Sequence, residues 1–393
     1  MAFFWSTDVG QSILLTGATG AIGPHLLHQV LQDEAFERVF VLMRPAAQRD
    51  PGGSLHDALR RVIEGTDRCW PHHPERRVIP VDGDICREGV VLDLDVANRL
   101  RQEVDVIVHA AANTRFTAPL FDLHAVNTQG TRHVLRLASQ CPRLRQLLIV
   151  STTCVAGTRT GLIAERVEVQ APEFVNAYEH SKWRAERASV AADLPIRIAR
   201  LSTCMGDGRT GYVHRFGAFH HSLHWFMRGL IPMVPAADGA CVDVIPTDLA
   251  ARWIARAATR PLEGLEVCQV AAGQHAVPVE EFLNFVVACL RARAHGWARR
   301  QIEPPVVVDA QTFTLFQKTA IQSGDALFRR VLESVRTFLP ALLYPKVYQT
   351  EQANACWGGP LPVGDWRLTI ERVMDFALER RWRSRAGAEV HRA

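Results

Sequence analysis

Short apolar runs, separated by stretches of helical periodicity, fill the first two-thirds of the chain. The run "SILLTG" is apolar and ends in glycine, the pattern of a strand covered on both faces of a parallel sheet. "AIGPHLLHQVLQ" follows with apolar positions at helical spacing. "RVFVLM", "RRVIPVDGD", "VDVIVHAAA" and "LRQLLIVSTT" predict strands two to five, and "PIRIARLS" a sixth. Helices are predicted between them, notably over "LFDLHAVNTQGTRHVLRLASQ" and over "FVNAYEHSKWRAERASVAAD". Repeated β-α-β of this kind implies an α/β fold: a doubly wound, parallel, Rossmann-type sheet covered by helices on both faces.

The rhythm breaks after about Leu201. "TCMGDGRTGYVHRFG" is glycine-rich and loop-like. "VDVIPTDLAARWIARAA" resumes strand-then-helix, with Thr247 or Asp248 as its N-cap, and "GLEVCQVAA" predicts one more strand. From about Pro278 the pattern is mostly helical, broken by proline at "EPPVVV" and "GGPLPVGDW". The predicted organisation is a dinucleotide-binding part over 1–205, completed by about 241–272. A smaller, mostly helical substrate-binding part covers 206–240 and 273–380, and the polar, basic 381–393 reads as a frayed tail.

At 393 residues the chain buries a sizeable core, and its 48% hydrophobic and 22% charged content is ordinary for a globular protein. A net charge of +4, with the arginines spread out, gives no case for nucleic acid. The nine cysteines form no CxxC pair and no zinc spacing. Their odd number, with no basic n-region in "MAFFWSTDVGQ", predicts reduced thiols in the cytoplasm. No apolar run approaches the ~18 residues of a membrane helix, and "LHWFMRGLIPMVP" is too short and too interrupted to insert stably.

The chemistry begins with Gly17, Gly20 and Gly23, set between the first strand and the first helix. Glycines there let the backbone turn tightly and approach a pyrophosphate, which sits at the positive helix N-terminus. The second strand ends in Arg44. An acid at that point binds a ribose 2′-hydroxyl, whereas an arginine suits a 2′-phosphate, so the predicted cofactor is NADP, with NAD as the alternative. Arg60 is a further candidate for that phosphate. The third strand ends in "DGDI", where Asp84 and Ile85 would flank an adenine; as a plain turn residue Asp84 needs no ligand.

The chain contains three lysines, Lys182, Lys318 and Lys346, and four tyrosines. Well under one Tyr-x-x-x-Lys pair is therefore expected by chance, yet Tyr178 and Lys182 form one. Residues four apart share a helix face. An ammonium beside a phenol favours the phenolate and lowers a pKa that is otherwise near ~10. "VSTTCVAG" puts Ser151, Thr152 and Thr153 at the carboxyl end of the fifth strand, the sheet edge where ligands bind in open α/β sheets. Thr152 is the candidate to hold a carbonyl oxygen, with Ser151 and Thr153 behind it. Asn127 is read as supporting Lys182 through a water or as fixing the helix to the active strand.

These residues together resemble the extended short-chain dehydrogenases/reductases. The likeness runs from about Ile13 to Ala258, through "TGATGAIG", "HAAA", "NTQGT", "STT", "YEHSK" and "VDVIPTDLA". Within that group "YEHSKWRAE" and "VFVLMRP" are similar to thioester reductases and the reductase domain of fatty acyl-CoA reductases. The resemblance implies catalysis by Thr152, Tyr178 and Lys182. It implies dinucleotide contacts from Gly17, Thr19, Gly20, Ala21, Ile22, Gly23, Arg44, Asp84, Ile85, Ala110, Ala111, Ala112, Asn127, Tyr178, Lys182, Leu201 and Ser202. Leu201 stands where the resemblance expects proline. The implied reaction is NADPH-dependent reduction of an acyl thioester, CoA- or carrier-protein-bound, to aldehyde or alcohol. Two other readings stay open: a ketone or hydroxy dehydrogenase or nucleotide-sugar epimerase of the same group, and a non-catalytic dinucleotide sensor.

His220 and His224 lie one turn apart, but no carboxylate partner or HExxH accompanies them and no metal is predicted. Arg215 would meet an anionic substrate arm or a surface acid. Phe216, Phe219, Trp225 and Phe226 are candidates for an acyl pocket or for core. Oligomeric state is not legible, and a homo-oligomer stays open.

Overall fold

The computed structural model describes residues 10–45, 76–293, 303–322, 326–335 and 338–382. Seven of the eight predicted strands join one sheet: β1 (Gln11–Thr16), β2 (Phe36–Met43), β3 (Val78–Asp82), β4 (Val106–His109), β5 (Gln146–Thr152), β6 (Ile196–Leu201) and β7 (Leu265–Val270); the strand predicted in "VDVIPTDLA" forms only Val244–Ile245, paired with Thr203–Cys204 apart from that sheet. Their spatial order is β7-β6-β5-β4-β1-β2-β3, and every pairing is parallel. The order reverses between β1 and β4, which opens a crevice at the carboxyl ends of those strands.

Side chains along a strand alternate between faces, and here the alternation feeds two separate cores. Ile13, Leu15, Val39, Val41, Val106 and Val108 pack on one face against Leu27 and Val30 of the helix Gly23–Gln32 and Trp253 of Thr247–Ala258. Leu14, Phe40, Ile107, Leu147 and Ile149 pack on the other, against Leu100, Val134 and Leu135. A third core gathers Leu223, Phe226, Phe282, Val286, Phe313, Ile370 and Met374 from the later helices.

The first helical turn of Thr247–Ala258 corrects one expectation. Pro246 occupies the N-cap position and Thr247 begins the helix. Asp248 Oδ1 instead accepts from the Gly208 amide at 2.7 Å. Proline suits a helix start because its fixed φ is compatible with it and its missing N–H would have had no helical partner there.

A buried carboxylate joins the ends of the molecule. Glu165 accepts from the amides of Gln269 in β7 at 2.7 Å, Gln352 at 2.6 Å and Ala353 at 3.1 Å. The last two open the helix Glu351–Trp357, whose unpaired first-turn amides favour an anion. Residues 383–393 of the predicted tail lie outside the described residues.

Candidate active site

The glycine turn leaves no room for side chains. Gly17 adopts φ +79°, and a Cβ there would lie 2.5 Å from the Ala111 nitrogen and 2.6 Å from the Ala110 carbonyl carbon. A Cβ on Gly23 would lie 2.2 Å from the Ala18 oxygen. The Ala110 amide donates to the Thr16 carbonyl at 3.2 Å and the Ala111 amide to the Thr16 hydroxyl at 3.2 Å, so the "HAAA" turn backs directly onto the glycine turn. Thr19, Gly20, Ala21 and Ile22 lead from that turn into the helix at Gly23, and Ala112 continues the turn after β4. A bare backbone turn at a helix start, beside the sheet crevice, fits a pyrophosphate.

Arg44 is exposed at the end of β2. Arg215, also exposed, lies within its electrostatic reach. The preceding residue, His214, hydrogen-bonds the Thr19 backbone, so this segment leans on the glycine turn rather than on a distant substrate arm. Asp84 Oδ1 accepts from the Cys86 amide at 2.9 Å, closing the turn after β3. Ile85 is buried, packs beside Gly130, and takes a 2.8 Å bond from His133 Nδ1 on its carbonyl. Arg60 lies outside the described residues.

Tyr178 and Lys182 project from one face of the helix Ala177–Val190. Asn176 caps that helix by accepting from the Glu179 amide at 3.0 Å, and the Glu179 carboxylate in turn accepts from the Val175 amide at 3.0 Å. This reciprocal arrangement fixes where the first turn begins. Asn127 sits in a π-helical turn, His124–Gln129, and its side chain makes three bonds. Its Oδ1 accepts from the Asn113 amide at 2.8 Å, and its Nδ2 donates to the Asn113 carbonyl and the Ser181 hydroxyl, both at 2.9 Å. Asn127 therefore ties the Tyr178 helix to the loop after β4, one strand away from the predicted anchor.

The three hydroxyls at the end of β5 have three different partners. Ser151 donates to Glu186 Oε1 at 2.6 Å. Thr152 Oγ1 accepts from the Cys154 amide at 3.2 Å and lies beside the Tyr178 phenol, whose ionised form it favours. Thr153 lies beside the Tyr348 phenol in the same way. Strand alternation turns Ser151 away from the face that carries Thr152, which removes it as a stand-in.

Lys182 is 3% exposed, and its Nζ donates to the Val150 carbonyl at 2.8 Å. Burial pushes its pKa down to about 8, opposed by Glu186 one turn further along the helix. Glu186 is itself bound by Arg200, Nε at 3.0 Å and Nη2 at 2.7 Å. Burial drives the Tyr178 phenol well above its usual range; Cys154, Cys204 and Glu179 push the same way, and Thr152 opposes them. The Lys182 ammonium is held on the strand backbone at Val150, one helical turn from the phenol.

Leu201 continues the ladder of β6, opposite Thr152 and Val270. A proline would lack the donor that a central strand position uses. Ser202 follows and donates its amide to the Val270 carbonyl at 3.1 Å.

Other candidates settle elsewhere. Phe226 is buried in the third core, with Phe219 and Trp225 packed against it, and Phe216 stacks near His220 and Trp382. His220 Nε2 bonds the Met205 carbonyl at 2.7 Å, and His224 lies between Trp225 and Trp382. Among the described residues no three His, Cys, Asp or Glu side chains gather as a metal site. The aromatic ring beside Tyr178 is Phe116, at 5.1 Å, backed by Phe338 at 6.3 Å from Phe116. Periodicity could not find it, since "NTRFTAP" is an irregular loop.

The NAD-binding family described as male sterility protein matches residues 15–254, well over half of the chain. The chain belongs to this family. It is an NAD(P)-dependent member of the extended short-chain dehydrogenases/reductases, and its cofactor is a nicotinamide dinucleotide. It is 32% identical over 209 residues to the isonitrile lipopeptide synthase of Streptomyces coeruleorubidus, covering 51% of this chain and 14% of that protein. It is 30% identical over 164 residues to the chloroplastic fatty acyl-CoA reductase 2 of Arabidopsis thaliana, covering 40% of this chain and 27% of that one. The chain thus spans only a fraction of the length of these relatives. The terminal R domain from the myxalamid PKS-NRPS pathway shares the fold, with a TM-score of 0.77 at 24% identity over 96% of this chain and 93% of that one. No helix among the described residues is long and apolar enough to cross a membrane.

Proposed function

We propose that the chain reduces an acyl thioester, carried on CoA or on a carrier protein, to an aldehyde or onward to an alcohol, using NADPH. The observation that carries this reading is the meeting of Thr152, at the end of β5, with the Tyr178 phenol, one helical turn from buried Lys182 and at the same sheet edge as the glycine turn. When bound, the nicotinamide supplies the hydride. Thr152 holds the carbonyl oxygen, and Tyr178 gives its proton to that oxygen as negative charge develops. A positioned acid of this kind contributes about 10²–10⁴-fold. A first reduction of a thioester leaves a hemithioacetal, which collapses to aldehyde and thiol.

A raised phenol pKa suits a donor that stays protonated until the oxyanion forms. Lys182 supplies the positive charge that steadies the phenolate afterwards. Arg44 and Arg215, two cations near the end of β2, support a 2′-phosphate and hence NADPH. The thioester reading draws on the named relatives, a fatty acyl-CoA reductase and a lipopeptide synthase. On this reading 1–205 with 241–272 serve the cofactor, and 206–240 with 273–380 face the substrate. The eight free cysteines among the described residues fit a reducing, cytoplasmic setting.

The test is NADPH oxidation with acyl-CoA thioesters of graded length, in wild type and Tyr178→Phe. Wild-type turnover that falls at least about a hundredfold in the variant supports the assignment. Turnover of ketones or nucleotide sugars alone moves the chain to another branch of its family, and undiminished turnover by the variant removes Tyr178 from the chemistry.

A further inference from the structure

Two of the three lysines and two of the four tyrosines converge on the end of β5, and one of each comes from outside the family-matched stretch. The short strand Lys346–Tyr348 pairs in parallel with Gly161–Ile163. Gly161 donates its amide to the Pro345 carbonyl at 2.8 Å, and Gln349 donates its own to Ile163 at 3.0 Å. Gln269 of β7 clamps both segments, with Nε2 donating to the carbonyls of Ile163 and Gln349 at 2.9 Å each. Residues two apart on a strand share a face. Lys346 and Tyr348 therefore reach the same place, the turn 153–157 that follows β5. Lys346 Nζ donates to the Gly157 carbonyl, and Tyr348, on the same face of the strand, brings its phenol beside Thr153.

Glu179 lies in this cluster, 4% exposed and adjacent to Tyr178. Lys346 lies within electrostatic reach of Glu179 and Cys154. A carboxylate near a phenol makes loss of the phenolic proton costlier, and a cation near the carboxylate offsets that. Thr153 shares a backbone with Thr152, so a fixed Thr153 side chain also fixes the turn that places Thr152 against Tyr178.

We propose that Lys346 and Tyr348 are positioning residues of the reductase site, supplied by the C-terminal segment. Tyr348 locks Thr153, and through it the Thr152–Tyr178 contact; Lys346 compensates Glu179 beside the same phenol. This rests on the reading of Tyr178 as proton donor. The Glu179 carboxylate accepts from the Val175 amide at 3.0 Å and from Asn176 Nδ2 at 3.1 Å, and the titratable groups within its electrostatic reach are Lys346, Cys154, Tyr178 and Tyr348.

Kinetics of the full chain with NADPH test it, using an acyl-CoA and, in parallel, a simple aldehyde. Tyr348→Phe is expected to lower kcat about tenfold or more with KM and dinucleotide affinity unchanged, the signature of a lost transition-state interaction. Lys346→Met is expected to lower kcat similarly, and Lys346→Arg to keep most of it. Adding Glu179→Gln to Lys346→Met is expected to restore activity, because the charge that needed compensation is gone. Wild-type kcat in Tyr348→Phe, or a Lys346→Met defect unchanged by Glu179→Gln, overturns the corresponding half. If Lys346→Met no longer binds dinucleotide, Lys346→Gln and Tyr348→Phe decide. A wild type active on aldehyde but not on thioester overturns the substrate assignment and leaves this test running; a wild type active on neither overturns both.

Discussion

Glu186 and Arg200 form an ion pair at 2.7 Å, with side chains 0% and 4% exposed, one helical turn beyond Lys182. The same carboxylate accepts from Ser151 and raises the Lys182 pKa against burial. Glu186→Gln removes the charge while keeping the shape. Breaking a buried pair on one side costs about 3–5 kcal/mol, read by denaturant unfolding. The variant also removes the charge that raises the Lys182 pKa, so the alkaline limb of its pH profile moves to lower pH. A limb that stays in place would show that Glu186 serves stability alone.

Lys182 titrates at about 8 because burial disfavours the ammonium. If the charged form is the active one, kcat/KM is flat below that value and falls as pH rises through it. Lys182→Met removes the limb together with about 10²-fold or more of the rate. The measurement is kcat/KM across neutral to alkaline pH with saturating cofactor.

Three buried histidines make acid stability predictable in sign. Burial lowers His109 to about 3, and His214 and His220 to about 4. Each folded value is depressed from an ordinary 6.5, so the unfolded chain takes up protons first as pH drops. Their stabilising contribution is complete above about pH 6.5 and is lost progressively as pH falls from there toward the folded values. Melting temperatures measured from neutral pH down into that acid range check this. His109→Asn, which keeps some bonding to Thr16 and Thr131 but does not titrate, should flatten part of the slope.

Gly17→Ala combines a φ of +79° with a Cβ 2.5 Å from the Ala111 nitrogen. The expected result is loss of measurable dinucleotide binding, followed by nicotinamide fluorescence, together with a lower melting temperature. Normal affinity would mean that the β4 turn gives way more easily than its bonds to Thr16 suggest.

Arg44→Ala and Arg215→Ala are expected to raise KM for NADPH about tenfold each and leave NADH nearly unchanged, because the two cofactors differ only in the 2′-phosphate. Equal effects on both would place the arginines elsewhere on the dinucleotide.

Much of this architecture is written at short range. β1 to β7 are apolar runs with clean punctuation, and Gly17 to Gly23 follow the first of them directly. The Tyr178–Lys182 spacing puts both on one helix face without any knowledge of the sheet. What could not be read depends on contacts distant in sequence. Asn127 reaches Ser181 across 54 residues, and nothing local says that it selects the β4 loop rather than β5. Pro246 takes a cap position that Thr247 and Asp248 suit chemically, because Asp248 is recruited by Gly208. Phe219, Trp225 and Phe226 fit pocket or core equally well by spacing, and only the packing of the later helices decides for core; Phe216 instead stacks beside His220 and Trp382. Tyr348 lies beyond every recognisable motif, and "KVY" is too short a run to show a strand.

Glu165 receives amides from Gln269, Gln352 and Ala353, each more than a hundred positions further along the chain. A fragment ending where the family match ends would strip that carboxylate of all three amide donors, together with β7 and the helix Glu351–Trp357 that supply them. The piece that could be cut out and still recover its fold is therefore longer than the family-matched stretch 15–254.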